Sequence, residues 1–361
     1  MTENEMNKPN QQVQTYKPKL DMQSILPLME EAKLQSSNLS YERLESMLFK
    51  YHEYPAKYRK LIWRFILRLP LNKEAFQNIM NKGIHPAFED LKDKYPIKQL
   101  SLFNRLIRIL SGIAFWSPVF AQVSYLPQLM FPFAKVIEYD DNVLFEIVLS
   151  LLLQWCSGWF VSYPLPPAEY LKLISDLITN VDLPLQEMLE SKGFRMIDTV
   201  WPMLSNFFTN VLNEKDWLCM MDYLITFYHR PMLLPCLCVS YLKYFKPTIS
   251  KLKDHNELSI FIHQFNALCM NKVMEIALKM LPTAEKLCEY KADRIPLCKD
   301  QYPVFTEYRP SMIHSGEALK DMIATKAEED CRVQAEHNDA QTKKRELAKK
   351  ILLLLNQSEA Q

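Results

Sequence analysis

Tyr54-Pro55-Ala56-Lys57-Tyr58-Arg59-Lys60-Leu61-Ile62-Trp63 decides how the rest of this sequence reads. A proline opening the run suits the start of a helix, where its missing N–H would be unpaired anyway. Arg59 and Trp63 are four apart, so on that helix both point to one face. That is the spacing of a structural pair: a tryptophan facing a core, beside an arginine whose stem packs on apolar neighbours while its head reaches water. The helix is expected to end near Leu69-Pro70.

Outward from this run the chain keeps the same character. It has 361 residues, 48% of them apolar, and only 5 glycines, so it can bury a large core. Apolar residues recur at three and four, while Asn-Gly and Asp-Gly hairpin signals are absent, which makes the fold all-α. Neither Gly-x-Gly-x-x-Gly nor a phosphate-loop pattern occurs, so no nucleotide cofactor is expected. With 43 basic against 42 acidic residues, nothing argues for a nucleic-acid partner. The longest apolar stretch, Val143 to Tyr163, carries Glu146 and Gln154, and a mid-membrane carboxylate is costly. A buried core helix is the better account, with no membrane insertion and a cytosolic setting.

Eight cysteines show neither disulfide-framework spacing nor a pair separated by two residues. Cys236-Leu237-Cys238 comes nearest to a metal signal, but residues two apart on a helix point to nearly opposite sides, so no metal site is expected.

Organisation follows from the composition. Residues 1–20 are polar and without apolar period, and read as a disordered leader. Two short helices are expected between Ser24 and Lys50, the second capped by Ser40. The helical domain spans 21–294, cut into short helices by prolines at 86, 96, 118, 127, 132, 164, 166, 167, 184 and 202. Trp155 and Trp159, again four apart, read as a core stripe on one helix. Residues 295–315 hold three prolines and no apolar period, the pattern of a linker or of a strap over the domain. Residues 316–357 read as a long charged helix. Its Leu347, Ile351, Leu354 and Leu355 form one apolar stripe, suited to a partner's groove or to folding back on the chain's own domain.

The Pro-then-Arg-x-x-x-Trp run resembles the first signature of the TBC domain, the all-helical module of Rab GTPase-activating proteins. Further stretches resemble one branch of that family: Lys82-Gly83-Ile84-His85-Pro86-Ala87-Phe88, Lys94-Tyr95-Pro96-Ile97-Lys98, Trp116-Ser117-Pro118-Val119-Phe120, Tyr125-Leu126-Pro127 with Phe131-Pro132-Phe133, and Trp155-Cys156 through Trp159-Phe160. The likeness covers roughly Leu39 to Lys246. It implies an irregular multi-helix bundle of the Rab-GAP TBC type, followed here by the long C-terminal helix. It also implies a Rab-family GTPase as partner, with Arg59, Trp63, Tyr125, Pro127 and Gln128 at the motif positions. Members of the branch carry an N-terminal WD-repeat region, whose blade periodicity this sequence lacks. They sit at the centrosome and centriolar satellites in cilium assembly, and are linked to protein kinase A. The resemblance therefore implies a scaffold with centrosomal partners, and the stripe from Leu347 to Leu355 as a helix for a kinase regulatory subunit.

Family members that activate GTPases insert an arginine finger, which offsets charge on the γ-phosphate, and a glutamine, which orients the attacking water. The glutamine motif, Tyr-x-Gln, falls on Tyr125-Leu126-Pro127, and a proline has no group to hold water. Gln128 is one residue further on. The arginine motif, Ile-x-x-Asp-x-x-Arg, has two registers. In one the finger position is Gly112 and the Asp position Ile109. In the other Arg108 is the finger and Arg105 replaces the Asp, leaving a guanidinium without its acidic brace. The expectation is a catalytically degenerate domain, not itself an enzyme. An active GTPase activator using Arg108 is the alternative.

Overall fold

Ser40 opens the first helix as expected, its hydroxyl accepting from the Arg43 amide at 3.3 Å. The computed structural model describes residues 39–160, 163, 165–287 and 297–305. Fifteen helices run through them. The first seven are α1 (Tyr41–Tyr51), α2 (Ala56–Ile66), α3 (Lys73–Met80), α4 (Leu91–Lys94), α5 (Leu100–Trp116), α6 (Leu126–Val136) and α7 (Asp141–Gln154). There follow α8 (Ala168–Val181), α9 (Leu183–Ser191), α10 (Met196–Ser205), α11 (Glu214–Thr226), α12 (Leu233–Tyr244), α13 (Lys246–Ile249), α14 (His255–Ile262) and α15 (Met270–Leu287). No strand occurs among the described residues. The first helix expected after Ser24, the leader, and the C-terminal stripe at Leu347, Ile351, Leu354 and Leu355 lie outside them.

Short polar caps start many of these helices. Asp140 accepts from Val143 N, Asp182 from Leu185 N, Asn213 from Asp216 N and Asp254 from Glu257 N. Each pairs an amide that the first helical turn leaves without a partner. The prolines behave less uniformly than expected. Pro118, Pro127 and Pro184 sit in first turns, but Pro132 and Pro202 lie inside α6 and α10 and do not end them. Surrounding packing outweighs one lost backbone hydrogen bond there.

Helix α7 is buried all round: every residue from Val143 to Gln154 is interior. A helix apolar on all faces belongs at the centre of a bundle, and α5, α6 and α2 pack against it. No helix among the described residues is long and apolar enough to cross a membrane. Trp155 and Trp159 are both buried, but not on one helix: Trp155 ends α7 and Trp159 falls in the 3-10 turn that follows.

One buried charge in α7 organises a turn. Arg68 and Leu71 both adopt positive φ, 51° and 57°, a backbone conformation unfavourable for residues with a Cβ. The Glu146 carboxylate holds that turn, accepting from the Leu71 amide at 2.9 Å and the Asn72 amide at 2.7 Å. It also accepts from the Tyr302 hydroxyl at 3.2 Å. The Asn72 side chain continues the chain of bonds, donating to Cys298 O and accepting from Asp300 N. Residues 297–305 are thereby fastened over the bundle. Phe305 closes the far end, its ring against Trp116, Phe120 and Phe160, and the Trp116 indole donates to Pro303 O at 2.8 Å.

Candidate functional site

The Arg59/Trp63 pair is built around a carboxylate that the sequence does not advertise. Helix α2 lies against α11, where Asp222 is completely buried. Its Oδ1 accepts from the Trp63 indole at 2.7 Å and from Arg59 Nε at 3.0 Å, and its Oδ2 accepts from the Tyr54 amide at 2.8 Å. The guanidinium also donates to Tyr54 O at 2.7 Å. Burial raises the Asp222 carboxyl to about 6, and the hydrogen bonds and charge of Arg59 hold it from rising further. Arg59 is only 5% exposed, so its head does not reach water as expected, because the charge it answers is inside. Neither Arg59 nor Trp63 is accessible to a partner; the pair locks the N-terminal helices to the bundle.

Tyr125, Pro127 and Gln128 form the corner entering α6. Tyr125 packs edge-on to Trp201, with centroids 5.3 Å apart, and stacks on Phe160 at 6.3 Å. Its hydroxyl is buried without a hydrogen-bond partner among the described residues, and burial pushes its pKa up. Pro127 is buried as well, while Gln128 is exposed. The amide that could meet a ligand thus lies one position past the motif, on a different side of the helix.

For the arginine the structure separates the two registers. Ile109 and Gly112 face the interior of α5, and a Cβ at Gly112 would stand 2.2 Å from Met80 Cε and 3.2 Å from Phe145 Cε2. No side chain at that position reaches solvent. Arg108 does, with its side chain 52% exposed. It is also not without an acid: Asp141, at the start of α7, pairs with Arg108 Nη1 at 2.9 Å and with Arg105 Nε at 3.4 Å. The expected brace from Arg105's position is absent, and a residue 33 positions later in the chain supplies one instead.

Arg105 also donates to Ala134 O, at the C-terminal end of α6. The two arginines therefore sit beside the junction of α6 and α7. Gln128 is at the other end of α6, about 9 Å along its axis from Ala134. Arg108 pairs with Asp141 at the start of α7, and Gln128 stands in the first turn of α6.

No group of His, Cys, Asp and Glu among the described residues has the geometry to hold a metal ion. Cys236 and Cys238 are buried in α12, and burial raises both thiols. Cys156 and Cys219 are raised in the same way, so none of these four is a poised thiolate.

The arrangement of helices has solved counterparts. It superposes on the Ypt/Rab-GAP domain of Gyp1p with a TM-score of 0.57 at 13% identity, over 73% of this chain and 98% of that one. It also superposes on the Chlamydomonas flagellar RabGAP TBC domain with a TM-score of 0.52 at 15% identity, over 71% and 91%. In sequence, TBC1 domain family member 31 of Bos taurus is 36% identical over 276 residues, or 76% of this chain. Over that span the chain is similar to TBC1 domain family member 31, and its fold is that of the TBC domain. The Homo sapiens TBC1 domain family member 31 is 34% identical over 275 residues, and the Xenopus tropicalis protein 33%. The chain spans about a quarter of the length of those relatives, 26% of the Bos taurus protein and 25% of the human one. No family model matches it. The all-α bundle expected from periodicity is the TBC bundle, and the signature around Arg59 and Trp63 is the part of it that clamps α2 to α11.

Proposed function

We propose that this TBC bundle docks a Rab-family GTPase without accelerating its hydrolysis, and serves as a binding scaffold. The observation that carries the reading is Pro127: the position resembling the water-orienting glutamine holds a buried ring with no hydrogen-bonding group. A placed arginine finger is worth about a thousand- to a hundred-thousand-fold, roughly 4 to 7 kcal/mol, and that gain needs the finger and the water aligned at one phosphate. Support also comes from Arg108, whose guanidinium is already engaged by Asp141. The relatives' names add TBC-family kinship. The resemblance to their branch extends the proposal to centrosomal and satellite proteins as partners, to the centrosome as location, and to the Leu347, Ile351, Leu354 and Leu355 stripe as a helix offered to a kinase regulatory subunit.

A second reading, an active GTPase activator, is favoured by one observation: Arg108 is exposed and braced by a carboxylate. Single-turnover GTP hydrolysis by a panel of Rab GTPases, with binding to the GTP-loaded forms measured in parallel, separates the two. The scaffold reading expects binding with unchanged hydrolysis. Acceleration that disappears in Arg108→Ala overturns it in favour of the second.

A further inference from the structure

Residues 297–305 lie on the bundle as a bound peptide lies in a groove. They form neither helix nor strand, and side chains of the bundle fasten their backbone. Asn72 Nδ2 donates to Cys298 O at 2.8 Å and to Gln301 O at 3.4 Å, and Asn72 Oδ1 accepts from Asp300 N at 2.7 Å. The Trp116 indole donates to Pro303 O at 2.8 Å. Bonds of this kind hold a main chain whatever side chains it carries, so selectivity falls to the side chains that enter pockets. Two do. Tyr302 sets its ring edge-on to Phe145, with centroids 5.3 Å apart, and its hydroxyl donates to Glu146 Oε1 at 3.2 Å. Phe305 is 8% exposed and meets Trp116, Phe120 and Phe160 edge-on. Gln301 faces solvent, and Val304 is 79% exposed. What the groove reads is therefore Tyr-Pro-x-Phe.

The groove is built without the strap. The Leu71 and Asn72 amides hold Glu146, and Phe120 and Phe145 belong to the core of the bundle. Nor is the strap the best occupant. Asp300 adopts a φ of 71°, unfavourable for a residue with a Cβ, and a segment with glycine there would escape that strain. The strap holds its place as part of the same chain, at an effective concentration of roughly millimolar, so a moderate affinity suffices in cis and a better-fitting segment can displace it in trans.

We propose that the groove between α7, the end of α5 and the start of α3 is a peptide-docking site, that the strap is its built-in competitor, and that the partner it fits is a protein segment of the pattern Tyr-Pro-x-Phe. The site uses neither Arg108 nor Gln128, so it stands or falls separately from the GTPase reading.

The probe is the hexapeptide of residues 300–305, acetylated, amidated and fluorescently labelled, added to the full chain. By fluorescence polarisation it is expected to bind Tyr302→Ala/Phe305→Ala at least tenfold more tightly than the unsubstituted chain, because those changes disable the strap and leave the groove intact. Adding Trp116→Phe, which keeps an aromatic ring and removes the indole donor, should weaken that binding about fivefold. A second measurement does not depend on how the strap variant folds. Unlabelled peptide at millimolar concentration should speed tryptic cleavage of the unsubstituted chain after Lys299 severalfold, as the strap is displaced. No binding to the strap variant together with unchanged cleavage overturns the proposal, as does equal action by a scrambled hexapeptide. A dimer of the unsubstituted chain that the peptide dissolves, seen by sedimentation, also overturns it, since the strap of a second copy would then be the occupant.

Discussion

Replacing Asp222 by alanine is expected to cost about 3–5 kcal/mol of folding stability, a large share of the roughly 5–15 kcal/mol that holds a domain together. The figure follows from what the carboxylate leaves behind. Asp222 is fully buried and accepts from the Arg59 guanidinium, the Trp63 indole and the Tyr54 amide. Its removal strands a buried cation and two donors, and each unpaired donor alone costs about 1–3 kcal/mol. Replacing both charges by apolar groups, Arg59→Met with Asp222→Leu, should recover much of the loss, because the pair's own desolvation cost disappears with it. Urea unfolding of the unsubstituted chain, Arg59→Met, Asp222→Leu and the double variant, followed by helical circular dichroism, gives the comparison as a double-mutant cycle, with Asp222→Ala measured beside it. A loss below about 1 kcal/mol for Asp222→Ala, or a double variant no better than the single, would refute the view that this carboxylate clamps α2 to α11. The pH dependence carries an independent sign. The Asp222 carboxyl titrates near 6 in the folded chain, above its unfolded value. Its contribution to stability is therefore full below about pH 4 and is lost as the pH rises through about 6, by up to about 3 kcal/mol. Asp222→Asn should flatten that slope, and a stability that instead climbs from pH 4 to 6.5 by the same amount in both proteins would remove Asp222 from the account.

Three further outcomes follow from the same packing. Tyr302→Phe removes one donor to Glu146 and should cost about 0.5–1.5 kcal/mol; faster tryptic cleavage after Lys299 would register the loosening. Glu146→Gln should cost more, about 1–3 kcal/mol, since an amide nitrogen would then face one of the two N–H groups that the carboxylate now serves, and thermal unfolding at pH 7 measures it. Gly112→Leu should lose about 1–3 kcal/mol by overpacking against Met80 and Phe145, whereas Gly112→Ala should stay near neutral, because the flexible end of Met80 can yield and the helix gains propensity.

Much of the bundle was legible in the sequence because helical periodicity and capping are local. Ser40 announces its own helix, and Pro55 the one that carries Arg59 and Trp63. What those two side chains do was not legible, since their partner is 163 positions away from Arg59. A signal existed in retrospect: Asp222 is a lone acid in the apolar run Trp217 to Phe227, and a charge placed in such a run needs a buried counter-charge. Asp141 was hidden for the opposite reason. One of two adjacent aspartates at a helix start, it reads as a dipole partner, and only the packing of α7 on α5 turns it toward Arg108. Prolines misled where tertiary contacts override a backbone defect, as at Pro132 and Pro202.

The brace on Arg108 changes which residue limits the proposed activity. An ion pair with one partner 52% exposed is worth no more than about 1 kcal/mol, so leaving Asp141 to reach a phosphate would cost less than a tenfold change in rate. Losing the arginine's reach is therefore the smaller obstacle. The larger one is the water-orienting position: it holds the buried ring of Pro127, and Gln128, one position on, faces a different side of α6. Both ends of α6 are fixed from behind, the first by Tyr125 on Trp201 and Phe160, the second by Arg105 on Ala134. Moving the Tyr125 corner would break the aromatic cluster that Phe305 completes. In the proposed reading the strap over α5 thus stabilises the corner in a form suited to docking, and the same contacts keep it from rearranging into one suited to catalysis.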